Sequence, residues 1–114
     1  MIKSKAELKI TTETNSDGIV KLSLSDLADF PEKNQKLRTF AHAYLKPGEE
    51  VPFHIHQGES ESYYILSGVG RYNDNGKEAD ILPGTVTFTP SGSGHGIKNT
   101  GDTMLEFIAL IVLD

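Results

Sequence analysis

The 114-residue sequence contains no cysteine. That absence excludes disulfides, thiolate zinc sites and cysteine nucleophiles. Arginine is scarce, with only Arg38 and Arg71, and the eleven lysines and arginines are scattered against sixteen acidic residues. A formal net charge of -5 without a basic cluster argues against a nucleic-acid or anionic-membrane partner. The longest wholly apolar run, Phe107 to Leu113, is far too short to span a bilayer. The first twenty residues lack the apolar centre of a signal peptide, so a soluble cytoplasmic protein is expected. No internal repeat or low-complexity segment is present, and the length suits one domain that buries roughly two thirds of its unfolded surface.

Punctuation is abundant in the second part of the chain. Ten of the eleven glycines and four of the five prolines fall from residue 47 onward, which implies short strands and tight turns. The polar start, Met1 to Asp17, reads as a frayed segment with an edge strand around Leu8 to Thr11. Val20 to Leu24 alternates as a strand. Ser25 to Phe30, with Ser25 as an N-cap, predicts one or two helical turns before Pro31. Leu37 to Leu45 reads as a strand with Arg38, Phe40, His42 and Tyr44 on one face, ending at Lys46-Pro47-Gly48. Ser62 to Leu66 is a further strand. Val69–Asn73 and Lys77–Leu82 are predicted to form a hairpin through Asp74-Asn75-Gly76. Thr85 to Thr89 alternates strictly. Met104 to Leu113 is apolar on both faces except at Glu106, which predicts a strand between two sheets or against another subunit. No helix is long enough to cover a sheet, so strands must pack on strands, in a sandwich or barrel of about eight to ten.

The stretch around which the chain is organised begins at Gly48. His54 and His56, separated by one residue on an extended segment, point to one face. Glu61 follows the turn-prone Gln57-Gly58-Glu59-Ser60 and can return on the next strand to face them. Two imidazoles and a carboxylate arranged in this way can hold a divalent metal. A lone His-Ile-His would be weak evidence, but the wider spacing is specific. Gly48, His54, His56, Glu61 and Gly68 are separated by five, one, four and six residues; Gly84, Pro90, Gly92, His95 and Asn99 by five, one, two and three.

These two patterns match both defining motifs of the cupin family, and over residues 48–99 the chain resembles a small single-domain cupin. The resemblance implies an all-β fold, a double-stranded β-helix (jelly-roll) barrel with at most one or two short helical turns. One domain would span residues 1–114, with its motif-bearing barrel over about 38–113. It also implies a metal inside the barrel, held by His54, His56, Glu61 and His95. Three neutral imidazoles and one carboxylate suit manganese, iron, nickel, cobalt or zinc and leave one or two positions open. Each imidazole should donate its other N–H to an acceptor that the sequence does not name.

Even spacing from Glu61 places Tyr63 and Ile65 on the same inward face as candidate pocket lining. His42 and Tyr44 are further candidates if their face of the strand turns inward; otherwise both are ordinary strand residues. Arg38 and Arg71 are either solvated or anion-binding. Glu106 is either buried with a partner or exposed at an edge. Two functions fit: an enzyme acting on a small oxygen-rich substrate (decarboxylase, dioxygenase or isomerase type), or a non-catalytic binder of a sugar, small acid or metal. A purely structural role fits less well, because relatives of that kind commonly lose ligands and all four motif positions are kept here. The apolar last strand and the edge strand at the N-terminus suit a homodimer.

Overall fold

The computed structural model describes residues 1–14 and 21–114. These residues form one 3-10 turn, Lys5–Glu7, and ten strands: β1 Ile10–Thr14, β2 Lys21–Asp26, β3 Leu37–Leu45, β4 Glu50–Ile55, β5 Glu59–Ser67, β6 Gly70–Asp74, β7 Lys77–Ile81, β8 Val86–Thr89, β9 Gly94–Asn99 and β10 Leu105–Leu113. They pair antiparallel into a six-stranded sheet of order β1-β2-β3-β10-β5-β8 and a four-stranded sheet of order β4-β9-β6-β7. This is the architecture of a double-stranded β-helix. Among the described residues no helix is long and apolar enough to cross a membrane.

Alternation builds the core. Leu45, Tyr63, Ile65, Tyr72, Ile97, Leu105 and Phe107 stand on the inward faces of five different strands and are at most 4% exposed. β10 lies between β3 and β5, and its sequence, apolar on both sides, resolves into two environments. Leu105, Phe107, Ala109 and Ile111 face the core, while Ile108 and Leu110 lie on the outer face of the sheet, half-covered by their neighbours. Within one chain the strand is therefore not sandwiched between two sheets.

The helical turns expected at Ser25–Phe30 do not form. Ser25 and Asp26 instead complete β2, opposite His42 and Ala41, and the ladder continues with the Leu27 N–H donating to the Phe40 carbonyl at 2.7 Å. The Asp26 carboxylate accepts from the Ala28 N–H at 2.9 Å, a local bond that turns the chain out of the strand. The one helical turn lies at the N-terminus, where the Glu7 carboxylate accepts from both the N–H and the hydroxyl of Ser4. Val20, expected to open β2, lies outside the described residues.

Turn chemistry follows the sequence where glycine is required. Asn75 and Gly76 both adopt positive φ, 52° and 100°, and close the β6–β7 hairpin opposite Asp74 and Lys77. Gly68 bends the chain between β5 and β6 at φ 84°, where a β-carbon would stand 2.5 Å from the Met104 carbonyl oxygen. Asn99, 1% exposed, ties the far end of the barrel. Its amide donates to the carbonyls of Leu45 and Thr103, and its side-chain oxygen accepts from the Gly101 N–H.

Candidate metal centre

His54 and His56 lie at the end of β4 and just beyond it, Glu61 on β5 and His95 on β9. β4 is bulged between Val51 and His54, and the shifted register places His54 directly opposite His95. Ile55 points the other way and is exposed, as alternation requires. Glu61 reaches the histidines from the other sheet, so the cluster is built across the two sheets.

The geometry is tight. The His56 Nε2 lies 3.1 Å from the Nε2 of both His54 and His95. The Glu61 Oε1 is 2.9 Å from the His56 Nε2 and 2.7 Å from the His95 Nε2. One ligand atom from each of the four residues lies within 4.8 Å of the others, an arrangement that could hold a metal ion. His56, Glu61 and His95 are buried, and His54 is half-buried.

The opposite nitrogen of each ring explains why the Nε2 atoms converge. The His54 Nδ1 lies 2.8 Å from the Pro52 carbonyl, an acceptor that requires the proton on Nδ1. The His56 Nδ1 lies 2.6 Å from the Glu59 Oε2. The His95 Nδ1 lies 2.8 Å from the Tyr72 hydroxyl, which is in turn 3.2 Å from the Thr89 hydroxyl. When the Tyr72 hydroxyl accepts from His95, as the Pro52 carbonyl and the Glu59 carboxylate accept from the other two rings, three Nε2 lone pairs and a carboxylate oxygen face one point. Lone pairs at 3.1 Å repel one another unless a cation lies between them. Nitrogen ligands at about 2.1 Å from an ion, and at right angles across it, stand about 3 Å apart, as these do. The donor set and its spacing therefore fit a divalent ion.

Electrostatics shape the surroundings. Burial holds the His54 pKa below the usual imidazole value, against the raising effect of the Pro52 carbonyl. Burial alone would raise the Glu59 carboxyl, but hydrogen bonds from His56 and Arg38 outweigh it and leave the group lowered. Burial, with Glu61 nearby, pushes the Tyr63 phenol well above its usual range, and its ring stacks on His95 at a centroid distance of 4.8 Å.

A cavity of about 270 Å³ opens beside the cluster, lined by His54, His56 and Glu61 and by Tyr63, Glu59 and Arg38 among others. Tyr63 thus stands on the wall that even spacing assigns it. Ile65 shares that inward face but packs in the core and does not line the cavity. His42 and Tyr44 lie on the outer face of the six-stranded sheet. There the two rings stack at 4.3 Å, and the His42 Nε2 lies 3.0 Å from Glu106. The inward positions of β3 are taken by Ala41, Ala43 and Leu45, so alternation excludes His42 and Tyr44 from the cavity. Glu106 also accepts from the Ser67 hydroxyl at 2.9 Å. Arg71 pairs with Asp80 and Glu78 on the surface. Arg38 departs from its expected face. The β3–β10 register skips it, pairing Ile111 with Thr39 and Val112 with Leu37, and at this bulge its guanidinium pairs with Glu59.

Comparisons with known proteins give the family and the fold. The profile of the cupin domain family matches residues 41–112. The chain belongs to the cupin family. An oxalate-binding protein of Thermotoga maritima is 44% identical over 108 residues, 92% of this chain and 89% of its own length. The crystal structure of a predicted oxalate decarboxylase from Thermotoga maritima superposes with a TM-score of 0.90 at 41% identity, each chain covered in full. A putative sugar phosphate isomerase from Acidithiobacillus ferrooxidans shares the fold, with a TM-score of 0.84 at 21% identity over 97% of this cupin and 74% of its own chain.

Three residues of the site escape the motif. Glu59 could have been found, since it precedes Glu61 and Tyr63 at even spacing and so shares their inward face. Tyr72 and Pro52 could not, because their roles depend on which strand pairs with β9 and on how β4 is bulged.

Proposed function

We propose that this cupin binds one divalent transition metal through His54, His56, Glu61 and His95 and, on that metal, a small carboxylic acid such as oxalate. The observation that carries the reading is the orientation of all three imidazoles: each Nδ1 has a hydrogen-bond partner away from the cluster, in Pro52, Glu59 or Tyr72, and each Nε2 faces the other ligands. The relatives named for oxalate support the acid. When bound, the metal would supply Lewis acidity and open positions for two oxygens of the ligand.

The protein's own groups hold the ligand in place. Tyr63, a neutral phenol on the cavity wall, can donate a hydrogen bond to a carboxylate oxygen. Glu59 and Arg38 neutralise each other and leave Glu61 as the charged ligand of the cluster. Turnover is a second reading, favoured by Tyr63. Decarboxylation of a diacid breaks the carbon–carbon bond and requires a proton on the carbon that remains, and in this reading the Tyr63 phenol on the cavity wall is the candidate donor.

Elemental analysis of untagged protein beside the His54→Ala/His56→Ala double variant tests the site. Near-stoichiometric metal in the wild type and none in the folded variant is the expected result. Absence of metal from both, after reconstitution with manganese, iron, nickel, cobalt and zinc in turn, would overturn it. With metal bound, oxalate titrated calorimetrically should bind at one site per chain, and release of formate and carbon dioxide would establish turnover.

We further read the whole chain as one domain that forms a homodimer through the outer face of the six-stranded sheet. Phe40, Tyr64, Leu66, Val86, Phe88 and Val112 expose apolar surface there, each between 37% and 68% accessible. A monomer mass by light scattering at micromolar concentration would refute the dimer.

A further inference from the structure

The cavity beside the histidines is larger and more apolar than oxalate requires. Its volume of about 270 Å³ equals about nine water molecules at ~30 Å³ each, and a two-carbon diacid fills only part of that. The space comes from three alanines at inward positions. Ala41 and Ala109 are paired across β3 and β10, and Ala43 stands beside Phe107 in the same ladder. Elsewhere in these strands the inward positions carry Leu45, Leu105, Phe107 and Ile111. The three alanines are at most 7% exposed, and all three line the cavity. Leu22, Leu24 and Val51 complete an alkyl wall that adjoins the His54, His56 and Glu61 side chains. The charged lining groups other than those ligands are Glu13, Arg38 and Glu59, and the last two are paired with each other. Such a chamber has a chelating end and a greasy body, and neither needs the other to be oxalate.

We propose that the preferred ligand is a monocarboxylic acid with an oxo or hydroxy oxygen next to the carboxylate and an unbranched apolar chain of a few carbons, its chelating oxygens at the histidine cluster and its chain against Ala41, Ala43 and Ala109. The proposal rests on the metal-centred acid binding described above and names the class of acid. A distal second carboxylate on such a chain would be driven against alkyl groups and lose its water, and the one cationic side chain in the lining, Arg38, is already paired with Glu59. The chamber therefore selects against longer diacids as well as for longer monoacids.

The test is a calorimetric titration of the zinc-loaded protein with oxalate, pyruvate, 2-oxobutyrate, 2-oxopentanoate, 2-oxohexanoate and 2-oxoglutarate. Each methylene buried from pyruvate upward should tighten binding by up to about fourfold until the chamber is full, and 2-oxoglutarate should bind more weakly than 2-oxopentanoate, which has the same number of chain carbons without the second acid. Ala109→Leu, which fills the chamber, should leave oxalate and pyruvate within about threefold and abolish the gain with chain length. Leu24→Ala, which enlarges it, should extend the gain to a longer acid. If oxalate binds and the affinities are flat or fall with chain length in the wild type, the apolar chamber is not used and this inference fails while the metal-centred reading stands. If no acid of the series binds, including oxalate, both readings fail together. Should Ala109→Leu not fold, the wild-type series and Leu24→Ala decide the matter without it.

Discussion

Glu59 is the most informative residue to change, because it touches the metal cluster only through His56. Its carboxylate is 5% exposed and stands between the His56 Nδ1, at 2.6 Å, and the Arg38 guanidinium. A carboxylate partner fixes the imidazole tautomer and raises the basicity of the opposite nitrogen. Replacing Glu59 by Ala removes that acceptor, leaves the ring free to rotate or to protonate at Nε2, and strands Arg38. The expected loss in metal affinity is about 10- to 100-fold. That is about 1.4–2.7 kcal/mol at ~1.4 kcal/mol per tenfold. Glu59→Gln keeps an oxygen that can accept from His56 but loses the charge, and should fall between wild type and Ala. Competition against a chromophoric chelator for zinc at pH 7.5, with near-ultraviolet circular dichroism of the metal-free proteins as the folding control, measures both. Folded Glu59→Ala protein binding zinc within twofold of wild type would refute the reasoning, since the tautomer would then be set by something other than Glu59.

Other consequences follow from the same geometry. Between its lowered folded value and the ordinary 6.5, His54 stays neutral in the fold while the unfolded chain takes up a proton, and below the ordinary 4.5 Glu59 stays ionised in the fold while the unfolded carboxylate takes up a proton. The metal-free protein should therefore lose stability steadily as pH falls below 6.5, and a melting temperature independent of pH from 7 to 4 would contradict both shifts. Gly68→Ala forces a side chain into positive φ and against the Met104 carbonyl, and should cost about 2 kcal/mol or more by chemical denaturation. Tyr72→Phe leaves the His95 Nδ1 buried without its hydrogen-bond partner; it should destabilise the fold by about 1–3 kcal/mol and weaken zinc binding less than Glu59→Ala does, because a neutral phenol lends the ring less basicity than a carboxylate.

What the sequence makes legible here is whatever depends on one strand and its own period. His54 and His56 share a face because they are two residues apart, and Asn75-Gly76 closes a hairpin because of its own dihedral preferences. Leu37 to Leu45 is bounded at both ends by turn chemistry and is a strand over that whole range. The ten spaced motif residues carried the family. What depends on pairing between strands is not legible in this way. The inward face of β3 is set by its neighbours, so nothing in Arg38-Thr39-Phe40-Ala41-His42 alone tells which side meets the cavity, and of the two readings open for His42 and Tyr44 the structure takes the ordinary strand position. The alanines that line the cavity carry no signal of their own, and only the register of β3 against β10 sets Ala41 opposite Ala109. Ser25 read as a helix cap because Ser-Asp suits either a cap or a turn, and the hydrogen-bond partners offered by β3 decided for the strand.

The acceptors behind the histidines also determine how the cluster behaves without metal. A carbonyl, a carboxylate and a phenol engage the three Nδ1 atoms, so the inward atoms are three nitrogen lone pairs and one carboxylate oxygen, with Glu61 2.7 Å from His95 and 2.9 Å from His56. Those contacts are attractive once a cation, a proton or a metal ion, lies between them. A metal ion that ligates the Nε2 atoms must displace any proton they carry. Metal and proton compete for one position, and the affinity measured at any pH is the difference between them. Zinc titrated calorimetrically in buffers of different ionisation enthalpy reads that exchange as the number of protons released. Proton release that grows as the pH falls through about 6.5 is the expected result, because only neutral imidazoles ligate; a heat independent of the buffer at every pH would refute ligation by the imidazoles.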